Sequence, residues 1–470
     1  MYDYTNLFEG YRFAWYGQRA LDCVGLDRYM DFDLIMSCDF GLDTPAIVQW
    51  QNSQIYSVEA ETYKRENWTS AYLDQILDQR GDEIKSRLRE LASPVYVIAY
   101  SATRSLARFA RLHKSRMCVI APDHKLKAWL DDKIRFAKAL RELKLPSVHN
   151  QVSQLGSIRF AQIKRDFGLP FVLRLPLGSA GSGTFFIHSE ADLEKIYCVA
   201  EDSRVLVSKY IDGVSLNVNA AVLGDQTVVA FPSVQLVGLK ECSNRPEVYC
   251  GNDYSSARLL PQGIIDKTRD CALQVGAWLS GLGYQGMFGM DLMVDLDKAA
   301  VYPVDLNPRF QNSTHLLTQG EIISGRLPLA VLNIAWQLGL LQKDDIRQWQ
   351  LASMTPPEGA QIIIHSLADS LTIVNGNLAS GIYVNRTNGI GIVKLREGIS
   401  LLDPVVGKEV VISCAVPRPG TIVVPGAPLL KIFSRLSVFD LDSGHLYPWI
   451  RQICKLVYDQ LKLQPTHNEA

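Results

Sequence analysis

Residues 291–317, DLMVDLDKAAVYPVDLNPRFQNSTHLL, set two apolar, β-rich runs around a short polar turn, and each run carries an acid where a core residue would be expected. Side chains alternate faces along a strand, so Asp305, Asn307 and Arg309 should project to one side and Val304 and Leu306 to the other. With LDKAA as the turn of a hairpin, the strand holding Asp291 lies beside the strand holding Asp305. Two carboxylates and an amide oxygen then converge. Like charges that close repel. The arrangement makes sense around a hard divalent cation, which takes a few carboxylate oxygens and completes its shell with phosphate and water. Magnesium is the expected ion.

Composition narrows the setting of that hairpin. A chain of 470 residues exceeds one ordinary core, so several domains are expected. Its 48 basic residues are balanced by 49 acidic ones, for a net charge of -1, which gives no electrostatic case for nucleic acid. The nine cysteines include no CxxC pair and point to reduced thiols in the cytoplasm rather than to disulfides or zinc. The start, MYDYTNLFEGYRF, has no basic region followed by an apolar one, and no apolar run reaches the roughly 18 residues of a membrane span.

Along the chain the pattern is mixed α/β and α+β in several domains. Residues 1–125 read as an α/β domain: FDLIMSC and PVYVIAYS look like buried strands, and TRSLARFARLHK has helical apolar spacing. After the Pro-Asp break at residues 122–123, an amphipathic helix is expected around Lys133 to Leu143, stopping at Pro146. Residues 126–350 read as strands separated by Gly-bearing turns, with helical runs between them. Residues 351–470 read as a strand-rich segment with Pro and Gly turns, closed by the helix LYPWIRQICKLVYDQLKL.

The run RLPLGSAGSGTFF follows a strand and offers Gly178, Ser179, Gly181, Ser182 and Gly183, so main-chain N–H groups can approach an anion closely. Taken in order, Lys133 opens a helix, Arg174 precedes the glycine-rich turn, and Asp291, Asp305 and Asn307 close the series. Two cations, an anion loop and a metal pocket specify a nucleoside triphosphate site. Here the chain resembles the ATP-grasp superfamily, in which ATP lies between two α+β subdomains and a carboxylate is activated as an acyl phosphate. DLNPRFQ is similar to the metal motif of biotin carboxylase and carbamoyl phosphate synthetase. The resemblance spans roughly residues 125–330, and the α/β segment before it looks like a pre-ATP-grasp domain.

The resemblance implies ATP and magnesium as cofactors. Lys133 and Arg174 take the phosphate-contacting basic positions, Asp291, Asp305 and Asn307 the magnesium ligands, and Arg309 the arginine facing the reacting centre. VLVSKYIDG matches the hinge whose main chain reads adenine, at Ser208, Lys209, Tyr210 and Ile211. The acids that many relatives carry at the hinge and at the ribose are replaced by Ser208 with Lys209, and by Ser215. Gln311 and His315 either face the substrate or cap the following helix. Tyr249, Asn252 and Arg258 either help form an acceptor pocket or lie in a solvated loop.

GVSLNVNA and VYCGNDY resemble peptide ligases of natural-product pathways. The expected activity is therefore ATP-dependent joining of a small-molecule carboxylate, an amino acid or small peptide, to an amine, with no nucleic-acid or membrane partner and a homodimer left open. Two alternatives stand beside it. One is a bicarbonate-using carboxylase, although no Ala-Met-Lys-Met run occurs within these residues. The other is a non-catalytic nucleotide-binding regulator.

Overall fold

The computed structural model describes residues 6–466 apart from 52, 179, 180, 182, 201, 354 and 386–390. Its first unit is a parallel sheet of β1 (Arg12–Gly17), β2 (Phe32–Ser37), β3 (Gln54–Ser57), β4 (Val95–Ala99) and β5 (Met117–Ile120) in the order β3-β2-β1-β4-β5. Nearly every residue of β1 and β2 is buried, which is why these strands read as continuous apolar runs rather than alternating ones.

Helix α1 (Lys133–Glu142) begins where the side chain of Asp132 accepts hydrogen bonds from the backbone N–H groups of Ile134 and Arg135. A small antiparallel sheet follows, with β6 (Asn150–Gln154), β7 (Phe171–Arg174), β8 (Thr184–Ile187) and β9 (Arg204–Lys209) in the order β6-β9-β7-β8. The glycine-rich turn joins β7 to β8.

The large sheet begins with β10 (Val214–Leu223), β11 (Ser233–Val237), β12 (Tyr249–Asp253), β13 (Gly286–Asp295) and β14 (Ala300–Asn307), followed by helix α2 (Thr314–Ile323). It continues into β15 (Ala360–His365), β16 (Gly381–Asn385), β17 (Ile392–Arg396), β18 (Val410–Ser413) and β19 (Pro428–Ser434). The order is β14-β13-β10-β11-β12-β15-β19-β18-β16-β17, with the short strand Gln226–Val229 paired to β10. Strands from after residue 350 thus extend the same sheet. On β10, Leu216, Val218 and Ala220 pack into the core with Ile264, Ile265 and Val275 of the helix Gln262–Gly281. Asn217 and Asn219 alternate with them and turn to the other face. The closing helix runs from Pro448 to Leu461 and buries Ile450, Ile453 and Val457 in the same core.

Candidate active site

A cleft of about 1180 Å³ lies between the small sheet and the large one; Val172, Arg174 and Phe186 line one wall and Asn217, Asp291, Asp305 and Asn307 the other. The hairpin has the expected register, with Asp291 opposite Asp305. A bulge falls beside this pair, because Leu292 is opposite Pro303, so Val304 is the extra residue. It corrects one expectation: Val304 does not enter the core with Leu306 but lines the cleft beside Asp305. The bulge re-aims the strand where the two acids meet.

Asp291 is held by three amides. Asn217 Nδ2 donates to its Oδ1 at 2.7 Å, Gln235 Nε2 to the same oxygen at 3.2 Å, and Asn307 Nδ2 to Oδ2 at 3.3 Å. Burial and the neighbouring Asp305 charge push the Asp291 carboxyl up to about 6, against the opposing help of those amides. Two carboxylates in direct register, with the Asn307 amide opposite Gly289 on the same hairpin, offer an all-oxygen donor set, and a divalent cation would relieve the repulsion between the acids. In this rotamer the Asn307 oxygen accepts from Arg309 Nη2 at 2.8 Å, so ligation through Asn307 requires its amide to turn over. Among the described residues no three His, Cys, Asp or Glu side chains gather as a metal cluster. The pair of acids plus an amide is the donor set the hairpin offers.

Cations surround Asp305. Lys133, buried at the start of α1, places Nζ 3.0 Å from Asp305 Oδ2 and 3.1 Å from the carbonyl of Gly178. Arg174 donates through Nη1 to the carbonyl of Val304, and burial pushes its pKa down against the pull of Asp305. Arg309 donates to the Phe310 carbonyl at 2.8 Å and the Tyr100 hydroxyl at 3.3 Å, and its guanidinium sits 5.6 Å over the Tyr100 ring.

The glycine turn closes across the cleft. Gly181, at φ +87°, lies so near the large-sheet side that an added Cβ would stand 2.1 Å from the carbonyl of Glu247. Gly178, Gly181 and Gly183 are described, and the first two line the cleft, while Ser179 and Ser182 lie outside the described residues. At the other end Ser208, Lys209, Tyr210 and Ile211 all line the cleft. Ser215 donates to Gln235 Oε1 at 2.7 Å. Asp212 lines the cleft beside the hinge, an acid that the sequence reading passed over.

Gln311 lines the cleft, whereas His315 is sealed among Asp22 and Lys431. Tyr249 and Asn252 line the cleft and are hydrogen-bonded to each other, and Gln361 donates to the Tyr249 hydroxyl at 3.0 Å. Arg258 points elsewhere, to the Pro356 carbonyl at 3.1 Å. The clamps on Asp291 from Asn217 and Gln235 were not anticipated. The signal for Asn217 was present in VSLNVNA, where polar residues alternate with apolar ones at strand period as they do in VDLN.

A glycine turn between two strands, a hinge and an acid hairpin around one cleft define the ATP-grasp class of fold. Residues 130–313 match the family model described as an ATP-grasp domain. The chain is 27% identical over 183 residues to the D-alanine–D-alanine ligase of Desulforudis audaxviator, a match covering 38% of this chain and 58% of that one. It is 26% identical over 193 residues to the arginine-specific large chain of carbamoyl phosphate synthase from Geobacillus stearothermophilus, covering 40% of this chain and 17% of that one. The matches therefore span little more than half of the first relative and a small part of the second. The biotin carboxylase of Campylobacter jejuni shares the fold across 98% of this chain and 93% of its own, with a TM-score of 0.58 at 15% identity. The N5-carboxyaminoimidazole ribonucleotide synthetase of Thermotoga maritima does so across 97% and 100%, with a TM-score of 0.52 at 11% identity. No helix among the described residues is long and apolar enough to cross a membrane.

Proposed function

We propose that the protein is an ATP- and magnesium-dependent ligase that activates a carboxylate as an acyl phosphate, joins it to an amine and releases ADP and phosphate. The observation that carries the reading is the Asp291–Asp305 register pair, with Asn307 and Arg309, opening into a cleft flanked by Lys133, Arg174 and the glycine turn. Its relatives include ligases, which supports the same chemistry. Adenine stacks at the hinge formed by Ser208, Lys209, Tyr210 and Ile211, with Asp212 available to the ribose hydroxyls. Gly178, Ser179, Gly181, Ser182 and Gly183 wrap the phosphates.

Asp291, Asp305 and Asn307 would hold magnesium, which would supply positive charge to the transferring phosphoryl group. Lys133 and Arg174 add their own charge there, since phosphoryl transfer demands positioning and electrostatic stabilisation more than covalent chemistry. Arg309 steadies the acyl phosphate and the oxyanion that forms when the amine attacks. The amine then displaces phosphate, leaving an amide. The substrates are small molecules, an amino acid or small peptide on the acid side, handled in the cytoplasm by a chain whose described cysteines are all free thiols.

A turnover screen tests this reading. Amino acids and small peptides are offered with ATP, magnesium and hydroxylamine as the amine, and ADP and hydroxamate are scored. ADP with a hydroxamate for one acid class is the expected result. AMP formation, or turnover that needs bicarbonate and a biotin acceptor in place of an amine, overturns it.

A further inference from the structure

The polar residues on the cleft face of the large sheet fall into two parts. Asp305 on β14, Asp291 on β13 and Asn217 on β10 lie opposite one another in register. Gln235 on β11, Asn252 on β12 and Gln361 on β15 do the same on the strands that follow. Gln235 joins the two sets, because its Nε2 reaches Asp291. The acids therefore sit on the first two strands of the sheet and uncharged amides on the next four.

Hydrogen bonds close the amides into a ring. The Tyr249 hydroxyl donates to Asn252 Oδ1, and Gln361 Nε2 donates to the Tyr249 hydroxyl at 3.0 Å and to the Asn312 carbonyl at 2.8 Å. Ser313, the next residue, donates through Oγ to Asn217 Oδ1 at 2.6 Å. Asn217, Gln235, Tyr249, Asn252, Asn312 and Ser313 all line the cleft.

This ring carries no charge of its own. Burial pushes the Tyr249 phenol well above its ordinary value, and the charges of Arg19 and Asp291 act on it in opposite directions, so it stays neutral. Glu247, which also lines the cleft, is paired with Arg245 at 2.7 Å. Each side-chain nitrogen of the ring already donates: Asn217 and Gln235 to Asp291, Asn252 to Ser233 Oγ at 3.0 Å, and Gln361 within the ring. A charged group laid here would lose its water without meeting a counter-ion. An uncharged carboxamide or hydroxyl can exchange water for these amides and hydroxyls without that cost.

Arg309 relates the ring to the acid substrate. Its Nη2 donates to Asn307 Oδ1 on the acid hairpin, and the chain passes from it through Gln311 to Asn312 and Ser313 of the ring. A carboxylate drawn to Arg309 thus has the ring beside it. Resting on the ligase reading above, we propose that the ring is the specificity subsite for the part of the acid that does not react, and that it takes an uncharged hydrogen-bonding group. The substrate class is then an amino acid or short peptide whose far end is a carboxamide or hydroxyl, and acids with a second charge at that end are rejected.

The test compares L-glutamine, L-glutamate and L-ornithine, and the same three residues carrying an amino-terminal glycine. Binding is read by calorimetry on the full chain with magnesium and a non-hydrolysable ATP analogue, and ADP and hydroxamate are followed in parallel with ATP and hydroxylamine. At one of the two lengths the glutamine form should bind about tenfold more tightly than both charged forms. Asn252→Asp keeps the shape of the side chain, and its oxygens can accept from Tyr249, Gln361 and Ser233, so it places a negative charge in the ring. The lead should then pass to the ornithine form. Tyr249→Phe, which adds no charge, should narrow the lead of glutamine to about threefold. Unchanged binding of the ATP analogue verifies the fold of each variant. A charged form binding as well as glutamine at both lengths, no binding by any, or a glutamine lead that neither variant alters overturns the proposal. A glutamine lead in calorimetry without ADP release would keep the subsite and remove the ligase reading, whereas hydroxamate formed equally from all three would keep the ligase reading and remove the subsite.

Discussion

Two charged clusters lie close together in this molecule and have opposite characters. At the hairpin, Asp291 and Asp305 meet Lys133, Arg174 and Arg309 along the wall of an open cleft. Behind it, Asp22 from the short 3-10 turn Ala20–Cys23 after β1, His315 from α2 and Lys431 from β19 meet in the interior, with Lys431 0% exposed. Burial pushes Asp22 up, but the charge and hydrogen bond of Lys431, together with His315 and Arg19, hold the carboxyl below its usual range. Burial and Lys431 together press His315 down to about 3, so it stays neutral. The same residue types produce a reactive surface where an oxygen pair faces the cleft, and a weld between three segments where every charge is matched and sealed. Access, more than composition, separates chemistry from architecture.

The largest expected effect breaks the weld. Lys431→Met leaves Asp22 buried and unpaired and should lower unfolding free energy by about 3–5 kcal/mol in urea titrations, with most of the loss recovered when Asp22→Leu is added. The open cluster should respond in the reverse manner. Asp305→Ala or Asn307→Ala should cut ATP turnover by about 1000-fold, while unfolding free energy changes by less than about 1 kcal/mol. A stability loss comparable to that of Lys431→Met would erase the contrast.

A smaller effect follows from Asp291. Its carboxyl must be ionised to ligate, and its pKa is raised to about 6. Magnesium affinity, titrated from pH 5 to 8, should therefore rise about tenfold per unit below that value and level off above it. For the metal-free fold the sign runs the other way. The folded state holds this proton more tightly than the unfolded chain, so the Asp291 contribution to stability falls as pH rises from the ordinary aspartate value of 3.8 to about 6, and is then level. Smallest of all, Tyr100→Phe removes the 3.3 Å bond to Arg309 and should slow turnover by about fivefold, as read from kcat, without altering ATP-analogue binding.

Much of the open cluster was legible in the sequence because it is local. Asp291, Asp305 and Asn307 belong to one hairpin, and strand alternation with a short turn fixes their convergence. The helix at Lys133 and the strands Phe32–Ser37 and Val95–Ala99 were equally readable from apolar spacing. What escaped was set by pairing across distance. Val304 was assigned to the core because simple alternation ignores a bulge. Asn217 and Gln235 reach Asp291 only because β10 and β11 lie beside β13 in the sheet, which no local pattern encodes. Asp22, His315 and Lys431 come from three distant stretches, and each alone reads as an ordinary polar residue.

The central claim, that a carboxylate attacks the terminal phosphoryl group in the open cluster, is tested most directly by oxygen transfer. The acid found by turnover screening is labelled with 18O in its carboxylate, allowed to react with ATP and an amine, and the released phosphate is examined by mass spectrometry. One labelled oxygen per phosphate, with ADP as the nucleotide product, is the predicted result, and Asp305→Ala should remove it. Unlabelled phosphate, or label appearing in AMP, would contradict the account.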